Sequence, residues 1–211
     1  MLTVKEVYEA IDAFAPFASQ ESWDNSGLLV GGMAQPADRI LTTLDISEAI
    51  VAQAVAEQVQ LVVAHHPVIF SPLKTLPPDS PVYQLAAHGI AAICVHTPLD
   101  MAPLGLNTFA HTLLEKPLAL QGTQEVLEPS WTDGRGFGWI DTSARTWTPQ
   151  TLAQTLQTAF GEVRYSAAER SIRKIAYCSG SAASMLELAA AKGCDALITG
   201  DIKHDRWYAA E

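Results

Sequence analysis

Two adjacent histidines, His65 and His66, follow the short apolar run Leu61–Ala64. Neutral imidazole is a common protein ligand for zinc, iron, nickel and copper. Adjacent strand residues point to opposite faces, so such a pair normally cannot share one ion, but this constraint relaxes where a strand ends. Pro67 restrains His66 to an extended conformation. The pair could straddle two ions, or one ion and its water; two ordinary loop histidines are the alternative.

A second apolar run, Ile90–Val95, ends at His96, and Asp100 follows shortly after. If both runs are strands of one parallel sheet, these residues emerge at the same edge as His65-His66. A carboxylate beside histidines suits a hydrolytic metal and can bridge two ions. His96 could be a third ligand, a group that orients a ligand, or a proton shuttle. Taken singly, His96 could instead cap its strand, and Asp100 could form a turn.

Weaker candidates lie elsewhere in the chain. Asp24-Asn25, beside Trp23, could bind substrate, but a turn closed by the aspartate side chain explains the pattern better. The glycine-rich segment 134–138 superficially suggests a phosphate loop, yet it has no Walker lysine, and a hairpin or bulge is favoured. Asp201, Lys203 and His204 could line a cleft or lie in a solvated loop. Two histidines in helical patterns, His88 and His111, are interpreted as surface or packing residues.

Alternating apolar strands and amphipathic helices must position these residues. Apolar spacing and breakers predict helices over 4–14, about 48–58, 82–88, 106–114 and 149–160, and strands over 39–44, 61–64, 90–95 and 172–178. In the second of these helices, Ile50, Val51, Ala54 and Val55 form the predicted buried stripe. The segment 115–141 is turn-rich, and Asp45 or Ser47 is a plausible N-cap.

Two stretches of the chain resemble each other. A shift of 135 residues places Arg39–His66 on Lys174–Asp201 without a gap, and both stretches predict strand, helix, strand. The identities are few, so chance similarity is the alternative. A true repeat predicts an α/β fold of two related α/β lobes that face a central metal-binding cleft, since open α/β sheets bind ligands at the carboxyl ends of their strands.

Composition limits the function classes. The 211 residues are 48% hydrophobic and 17% charged, which predicts a packed globular protein. The net charge of -10 disfavours nucleic acid as the main partner. No apolar run reaches 18 residues, so no membrane helix is expected. Three cysteines in apolar segments and the lack of a signal-peptide pattern predict a cytoplasmic protein: Cys94, Cys178 and Cys194.

These motifs together resemble a known family, the type 2 GTP cyclohydrolase I or Ngg-interacting-factor-three-like proteins. The most specific likeness is Ala64–Phe70 with Leu73-Lys74, which is similar to the family pattern THHPxxFxxLK. Segments 23–31, 44–47, 193–195 and 199–204 resemble its WDNxGLxVG, LDxT/S, GxD and TGDxKxH elements. Residues 96–100 resemble HTNLD, with Pro98 in place of asparagine.

The resemblance implies a toroidal homo-hexamer with a dinuclear metal centre. It places His65, His66 and Asp100 at metal-ligand positions and His96 beside them as a catalytic residue. The implied cofactors are two divalent ions per complete chain, with zinc, iron, manganese and nickel as candidates. The family's other ligands, in a GHxxxE motif, have no counterpart here. We expect a first lobe over 1–115 and a second lobe over 116–211. Because the residues of the GHxxxE motif have no counterpart, either the C-terminal end of the second lobe is missing or the metal site is a partial one.

The resulting hypothesis is a metal-dependent hydrolase of the GTP cyclohydrolase type. A metal-activated water would attack an electron-poor carbon of the purine while His96 moves protons. The substrate expected for this hypothesis is a small molecule such as a nucleotide. Two alternatives stay open: a non-catalytic metal-binding ring that serves as a scaffold for partner proteins, and a two-metal phosphoesterase.

Overall fold

The computed structural model describes residues 1–122, 124–166 and 169–210. The chain divides into two compact units, Met1–Leu99 and Asp100–Glu211. The described residues form a mixed α/β fold with two four-stranded sheets, one in each unit. The α/β fold class predicted from the sequence is thereby confirmed. None of the helices in the described part of the chain is long and apolar enough to cross a membrane.

The first unit contains a sheet with strand order β1-β4-β3-β2. Its elements are α1 (Val4–Phe14), β1 (Gly27–Val30), β2 (Ile40–Thr43), α2 (Glu48–Ala56), β3 (Leu61–Ala64), α3 (Pro81–Ala87) and β4 (Ala91–Cys94), with a short 3-10 helix at Phe17–Ser19. Strands β2, β3 and β4 are parallel, and β1 is antiparallel to β4. Because β3 and β4 are parallel neighbours, their carboxyl ends lie side by side.

Local sequence explains where the helices of this unit begin. Thr3 and Glu6 form a capping box at the start of α1, and Ser47 caps α2 by accepting a hydrogen bond from the Ile50 amide. The core packs α2 and α3 against the sheet, through Val30, Val51, Ala54, Val59, Val62, Leu85, Ile90 and Ala92. The stripe of α2 that was predicted to be buried is only half buried. Val51 and Ala54 are buried, whereas Ile50 is partly exposed and Val55 is 36% exposed.

The second unit contains a sheet with strand order β5-β6-β7-β8. Its elements are α5 (Leu106–Glu115), β5 (Glu125–Pro129), β6 (Gly136–Trp147), α6 (Pro149–Phe160), β7 (Ile172–Cys178), α7 (Leu186–Ala191) and β8 (Ala196–Thr199), with 3-10 helices at Ala183–Met185 and His204–Ala210. The short helix α4 (Thr97–Met101) contains the point of division between the units. Strands β5, β6 and β7 are antiparallel neighbours, whereas β7 and β8 are parallel.

The two faces of the second sheet are both covered. Along β7, Ile175 and Tyr177 face the cluster that contains α5 and α6, while Ala176 and Cys178 face the cluster that contains α7. Helix α5 packs on this core through Ala110 and Leu114. It therefore belongs to the compact unit that begins at Asp100, and the boundary predicted after residue 115 lies at the end of this helix.

Segment 115–141, which was predicted to be turn-rich, also contains strand β5 and the first half of strand β6. Strands β5 and β6 form an antiparallel hairpin there. Its turn is closed by backbone hydrogen bonds from Ser130 and Trp131 to the Arg135 carbonyl. Segment 134–138 is thus the end of a hairpin, which was the favoured alternative to a phosphate loop.

The internal repeat is present in the backbone hydrogen bonds. The first repeat, residues 39–66, pairs Ile40 with Leu61, and the second repeat, residues 174–201, pairs Ile175 with Ala196. These pairs differ by the same shift of 135 residues that aligns the sequences. The Gln60 amide donates to the Arg39 carbonyl, and Asp195 donates to Lys174 in the same way. The two repeats are therefore equivalent strand-helix-strand units.

Candidate metal centre

Three histidines meet at the carboxyl end of the first sheet. His65 and His66 directly follow β3, and His96 lies two residues after the end of β4. The ring centroids of the three are 5.0, 5.2 and 5.6 Å apart. One ligand atom from each lies within 4.8 Å of those of the other two, so the three side chains could hold a metal ion. The predicted convergence of these strand ends brings the histidines together.

Each of these histidines has its Nδ1 beside an oxygen acceptor. His65 Nδ1 lies 3.0 Å from the Val95 carbonyl oxygen, His66 Nδ1 lies 2.7 Å from Asp45 Oδ1, and His96 Nδ1 lies 2.8 Å from Asp24 Oδ1. A carbonyl or a carboxylate oxygen can only accept, so Nδ1 carries the proton in each neutral ring. The lone pair that can bind an ion is therefore on Nε2. Histidine ligands in metal proteins are held by the same kind of contact.

Asp24 is the most strongly held of these acceptors. Its side chain is fully buried and accepts hydrogen bonds from His96, from the Thr97 hydroxyl and amide and from the Ser26 hydroxyl. Burial raises the pKa of Asp24, but the hydrogen bonds from His96 and Thr97 outweigh it and hold that pKa far below its usual range. Asp24 is thus a buried carboxylate that stays ionised and fixes the orientation of the His96 ring.

Asp45 holds His66 in a more open setting. Its side chain is 64% exposed and that of His66 is 45% exposed. Ser47 is the N-cap of α2, and the other capping candidate, Asp45, instead accepts a hydrogen bond from His66 Nδ1. The centre therefore has a buried side, at His96 and Asp24, and a side that faces solvent.

The chemistry of the donor set fits a divalent transition metal. Three imidazole nitrogens suit zinc, iron or nickel, and the oxygens on the Nδ1 atoms are the support that such ligands need. Cys94 lies next to the cluster, where its thiol donates to the His65 carbonyl at 3.0 Å. Burial, with the charge of Asp24, raises the pKa of Cys94 to about 12, so this sulfur stays a neutral thiol rather than a thiolate ligand.

Asp100, the predicted carboxylate ligand, lies in the second unit. Its Oδ1 accepts a hydrogen bond from the Ser179 hydroxyl at 3.2 Å, and its carbonyl accepts one from the Asn107 side chain. Among the described residues, the group that can share an ion consists of His65, His66 and His96. The ligand role of Asp100 and the catalytic role of His96 stay predictions.

The remaining candidates have other surroundings. His88 is the exposed C-cap residue of α3. His111 is buried, and its Nε2 lies 2.9 Å from Asp141 Oδ2, so it belongs to a buried polar pair; its ring lies nearly perpendicular to the Trp139 ring. Exposed positions after β8 are occupied by Asp201, Lys203 and His204.

Two functional residues were missed or misjudged from sequence. Asp24 was interpreted as a turn former and Asp45 as a helix cap, yet each orients a histidine. A usable signal existed for Asp45, because it follows the end of β2 by two residues and so emerges at the same sheet edge as the histidines. Asp24 gave no such signal, because it precedes a strand instead of following one. It reaches the edge where β4 ends only through the antiparallel pairing of β1 with β4.

The profile of the Duf34/NIF3 (NGG1p interacting factor 3) family matches residues 2–211. The chain belongs to this family. The resemblance inferred from the motifs is therefore confirmed.

Curated relatives of this NIF3-family chain carry a common name. A protein of Helicobacter pylori named GTP cyclohydrolase 1 type 2 is 35% identical, over 99% of this chain and 81% of its own length. A protein of Streptococcus pneumoniae named GTP cyclohydrolase 1 type 2 homolog is 33% identical, over 95% of this chain and 77% of its own length.

Solved structures share the fold. A Bacillus cereus protein related to NIF3 superposes with a TM-score of 0.88 at 18% identity, over 100% of this chain and 85% of that chain. Reduced HcgD from Methanocaldococcus jannaschii gives 0.81 at 23% identity, over 100% of this chain and 83% of that chain.

Proposed function

We propose that the chain is a metal-dependent hydrolase that opens the purine ring of GTP or of a closely related nucleotide. The observation that carries the proposal is the cluster of His65, His66 and His96, in which every Nδ1 faces an oxygen acceptor. The substrate class is suggested by the name of the Helicobacter pylori relative, GTP cyclohydrolase 1 type 2.

His65 and His66 are the proposed protein ligands of the metal, with Asp100 as the carboxylate ligand. The candidate ions are zinc, iron, manganese and nickel, with two ions per complete chain as the expected number. A divalent ion at such a site acts as a Lewis acid and activates water at neutral pH.

His96 is the proposed proton-transfer residue. Asp24 keeps the proton on His96 Nδ1, so Nε2 has the lone pair with which to accept a proton during ring opening. The imidazolium that results is stabilised by the ionised, buried Asp24 carboxylate, as in other aspartate-histidine pairs. The same lone pair would make His96 a third ligand instead.

Two measurements on His96→Gln separate these roles. Metal content per chain is determined by inductively coupled plasma mass spectrometry, and GTP turnover is followed by chromatography of the ring-opened product. Loss of turnover with metal content unchanged supports proton transfer, whereas loss of both identifies His96 as a ligand. His88→Ala, at an exposed histidine that caps α3, is the control and should change neither quantity.

The proposal fails if the metal-loaded unmodified protein leaves GTP intact. Hydrolysis of a panel of phosphodiesters by that protein would then favour the two-metal phosphoesterase. Absence of bound metal after loading with each candidate ion would remove every metal-dependent hydrolase from consideration.

A non-catalytic scaffold is the second candidate, and the loop after the histidines favours it. Residues 70–79 are all exposed, and they include Phe70, Leu73 and Leu76, which are 53%, 51% and 48% exposed. Such apolar exposure is typical of interaction surfaces. In this role the chain would form the homo-hexamer implied by the resemblance and bind partner proteins. Native mass spectrometry tests the hexamer, and His65→Ala should then leave assembly unchanged.

A further inference from the structure

Two aromatic side chains beside the histidine cluster are exposed and in contact with each other. Trp23 is 56% exposed and Phe70 is 53% exposed, and their ring centroids lie 6.2 Å apart at an interplanar angle of 46°. By contrast, Trp139 and Trp147 are 0% and 3% exposed. Single exposed apolar residues are common on protein surfaces, but a paired aromatic surface next to polar candidate ligands is typical of a binding site.

The pair borders the cluster directly. The Trp23 ring meets the His96 ring edge-on, with centroids 5.9 Å apart at an interplanar angle of 78°. A planar molecule held against Trp23 would therefore lie next to His96, the residue proposed to move a proton.

Both aromatic residues are fixed by their chain neighbours. Trp23 precedes Asp24, whose buried carboxylate is tied to His96 and Thr97. The side chain of Asn25 donates a hydrogen bond of 2.6 Å to the carbonyl of Ile69, the residue before Phe70. The segments that carry the two rings are thus joined to each other as well as to the cluster. A surface held in this way costs little ordering when a ligand binds.

The charge of this unit favours a ring over a phosphate as the part that is recognised. Residues 1–99 contain three basic residues, Lys5, Arg39 and Lys74, and ten acidic ones: Glu6, Glu9, Asp12, Glu21, Asp24, Asp38, Asp45, Glu48, Glu57 and Asp79. Such an excess of acidic groups repels phosphate oxygens. Stacking on an aromatic face does not depend on ligand charge, and every nucleobase has a face that can stack.

We infer that Trp23 and Phe70 form a stacking surface for the planar nitrogen-containing ring of the substrate, a role that rests on the proposed function because ring opening requires the ring to lie beside His96. Trp23 supplies the larger face, and Phe70 the second. The substrate class is then a purine or a similarly fused heteroaromatic ring, with the sugar and the phosphates directed away from the aromatic pair.

Binding of guanosine to the full metal-depleted chain tests this inference without any turnover. Equilibrium dialysis should detect binding of guanosine but not of ribose 5-phosphate, which has no ring to stack. Trp23→Ala should weaken guanosine binding about 5- to 150-fold, which corresponds to the loss of one stacking contact. Trp23→Phe, which keeps an aromatic face, should weaken it less.

The matched control is Phe14→Ala, which removes an aromatic ring that is 41% exposed at the end of α1. It should not change guanosine binding, and metal content after loading should be the same in Trp23→Ala and the parent. The inference is overturned if the parent does not bind guanosine, or if Trp23→Ala binds it as tightly as the parent. Guanosine binding without GTP turnover would instead refute the hydrolase and leave the stacking surface standing.

Discussion

In the first repeat, Gln60 Oε1 accepts hydrogen bonds from the amides of Asp38 and Arg39 at 2.8 and 3.2 Å. In the second repeat, Asp195 Oδ2 accepts hydrogen bonds from the amides of Arg173 and Lys174 at 2.9 and 2.8 Å. Each acceptor lies at the same point of its strand-helix-strand unit. The two repeats thus use one hydrogen-bonding scheme even where the residue type has changed.

The repeats differ where their second strand ends. His65 and His66 of the first repeat correspond to Gly200 and Asp201 of the second. A Cβ at Gly200 would lie 3.0 Å from the Gly180 carbonyl oxygen, which accepts hydrogen bonds from the amides of both Gly200 and Asp201. The backbone therefore closes on itself in the second repeat and leaves little room for a side chain at the position of His65.

A further difference is the strand that lies next in the sheet. In the first unit, β3 has β4 as a parallel neighbour, and the end of β4 leads to His96. Among the described residues of the second unit, β8 is the last strand in the sheet order, and no third parallel strand ends beside it. A three-histidine cluster needs side chains from two adjacent strand ends. Within the part of the chain that the structure describes, the repeat therefore duplicates a framework, and the candidate metal centre is an addition to the first copy.

The largest expected effect is a loss of bound metal when the polar residue at the strand end of one repeat, but not of the other, is replaced by alanine. We expect His66→Ala to lower bound metal at least 10-fold, because one of the nitrogen donors is lost. Asp201→Ala, at the equivalent position of the second repeat, should leave it unchanged. Metal content after loading and dialysis, measured by inductively coupled plasma mass spectrometry, tests both variants. Equal losses would mean that the end of the second repeat also holds metal, and the contrast between the repeats would fail.

Much of the fold could be predicted because it follows from local patterns. The bounds of α1, β3, α6 and β7 agree with the structure, since apolar spacing, Pro16 and Pro149 mark them in the sequence. Strands β5 and β6 were not predicted, although a hairpin or bulge was favoured for the glycine-rich segment 134–138 at their turn. The meeting of the three histidines was predictable, since parallel strands end at one edge. Asp24 was not, because it reaches His96 across 72 residues through antiparallel pairing of β1.

A smaller effect tests whether the shared acceptors have the same role. Gln60→Ala and Asp195→Ala each leave two backbone amides without their acceptor, so each should lower the free energy of unfolding by about 1–3 kcal/mol. The loss should be larger for Asp195, because hydrogen bonds to a charged acceptor are stronger. Urea denaturation measures both. Asp195→Asn keeps an oxygen acceptor and should lose less than Asp195→Ala; if only one alanine variant is destabilised, the two acceptors are not equivalent.

The helix that follows the first strand of each repeat has a different N-cap in the two repeats. Ser47 has extended backbone angles and caps α2, whereas its counterpart Ala182 has φ -101° and ψ 32° and is followed by a 3-10 helix. We expect Ser47→Ala to lower the free energy of unfolding by about 1 kcal/mol. Ala182→Ser should give no gain, because its backbone is not in the conformation from which a serine caps a helix. A stabilised Ala182→Ser protein, measured by urea denaturation, would contradict this difference.

The smallest expected effect has opposite signs in the two repeats. Gln58 and Gly193 occupy the same turn before the second strand, with φ of 55° and 71°. A left-handed backbone costs a residue with a side chain about 1–2 kcal/mol, whereas glycine adopts it freely but loses about 0.5–1 kcal/mol of additional chain entropy. Gln58→Gly should therefore stabilise the protein by about 0.5–1 kcal/mol.

Gly193→Ala should destabilise it by about 1 kcal/mol through backbone conformation alone. A Cβ at Gly193 would meet no atom within 4 Å, so steric overlap does not contribute to the loss. Urea denaturation of both variants tests the pair. Changes of the same sign would show that the two turns are under different constraints, even though the backbone hydrogen bonds Val59 to Ala54 and Cys194 to Ala189 are equivalent. Opposite signs are expected because the turn has a left-handed backbone in both repeats, and glycine, the residue that adopts this backbone freely, occupies it in the second repeat but not in the first.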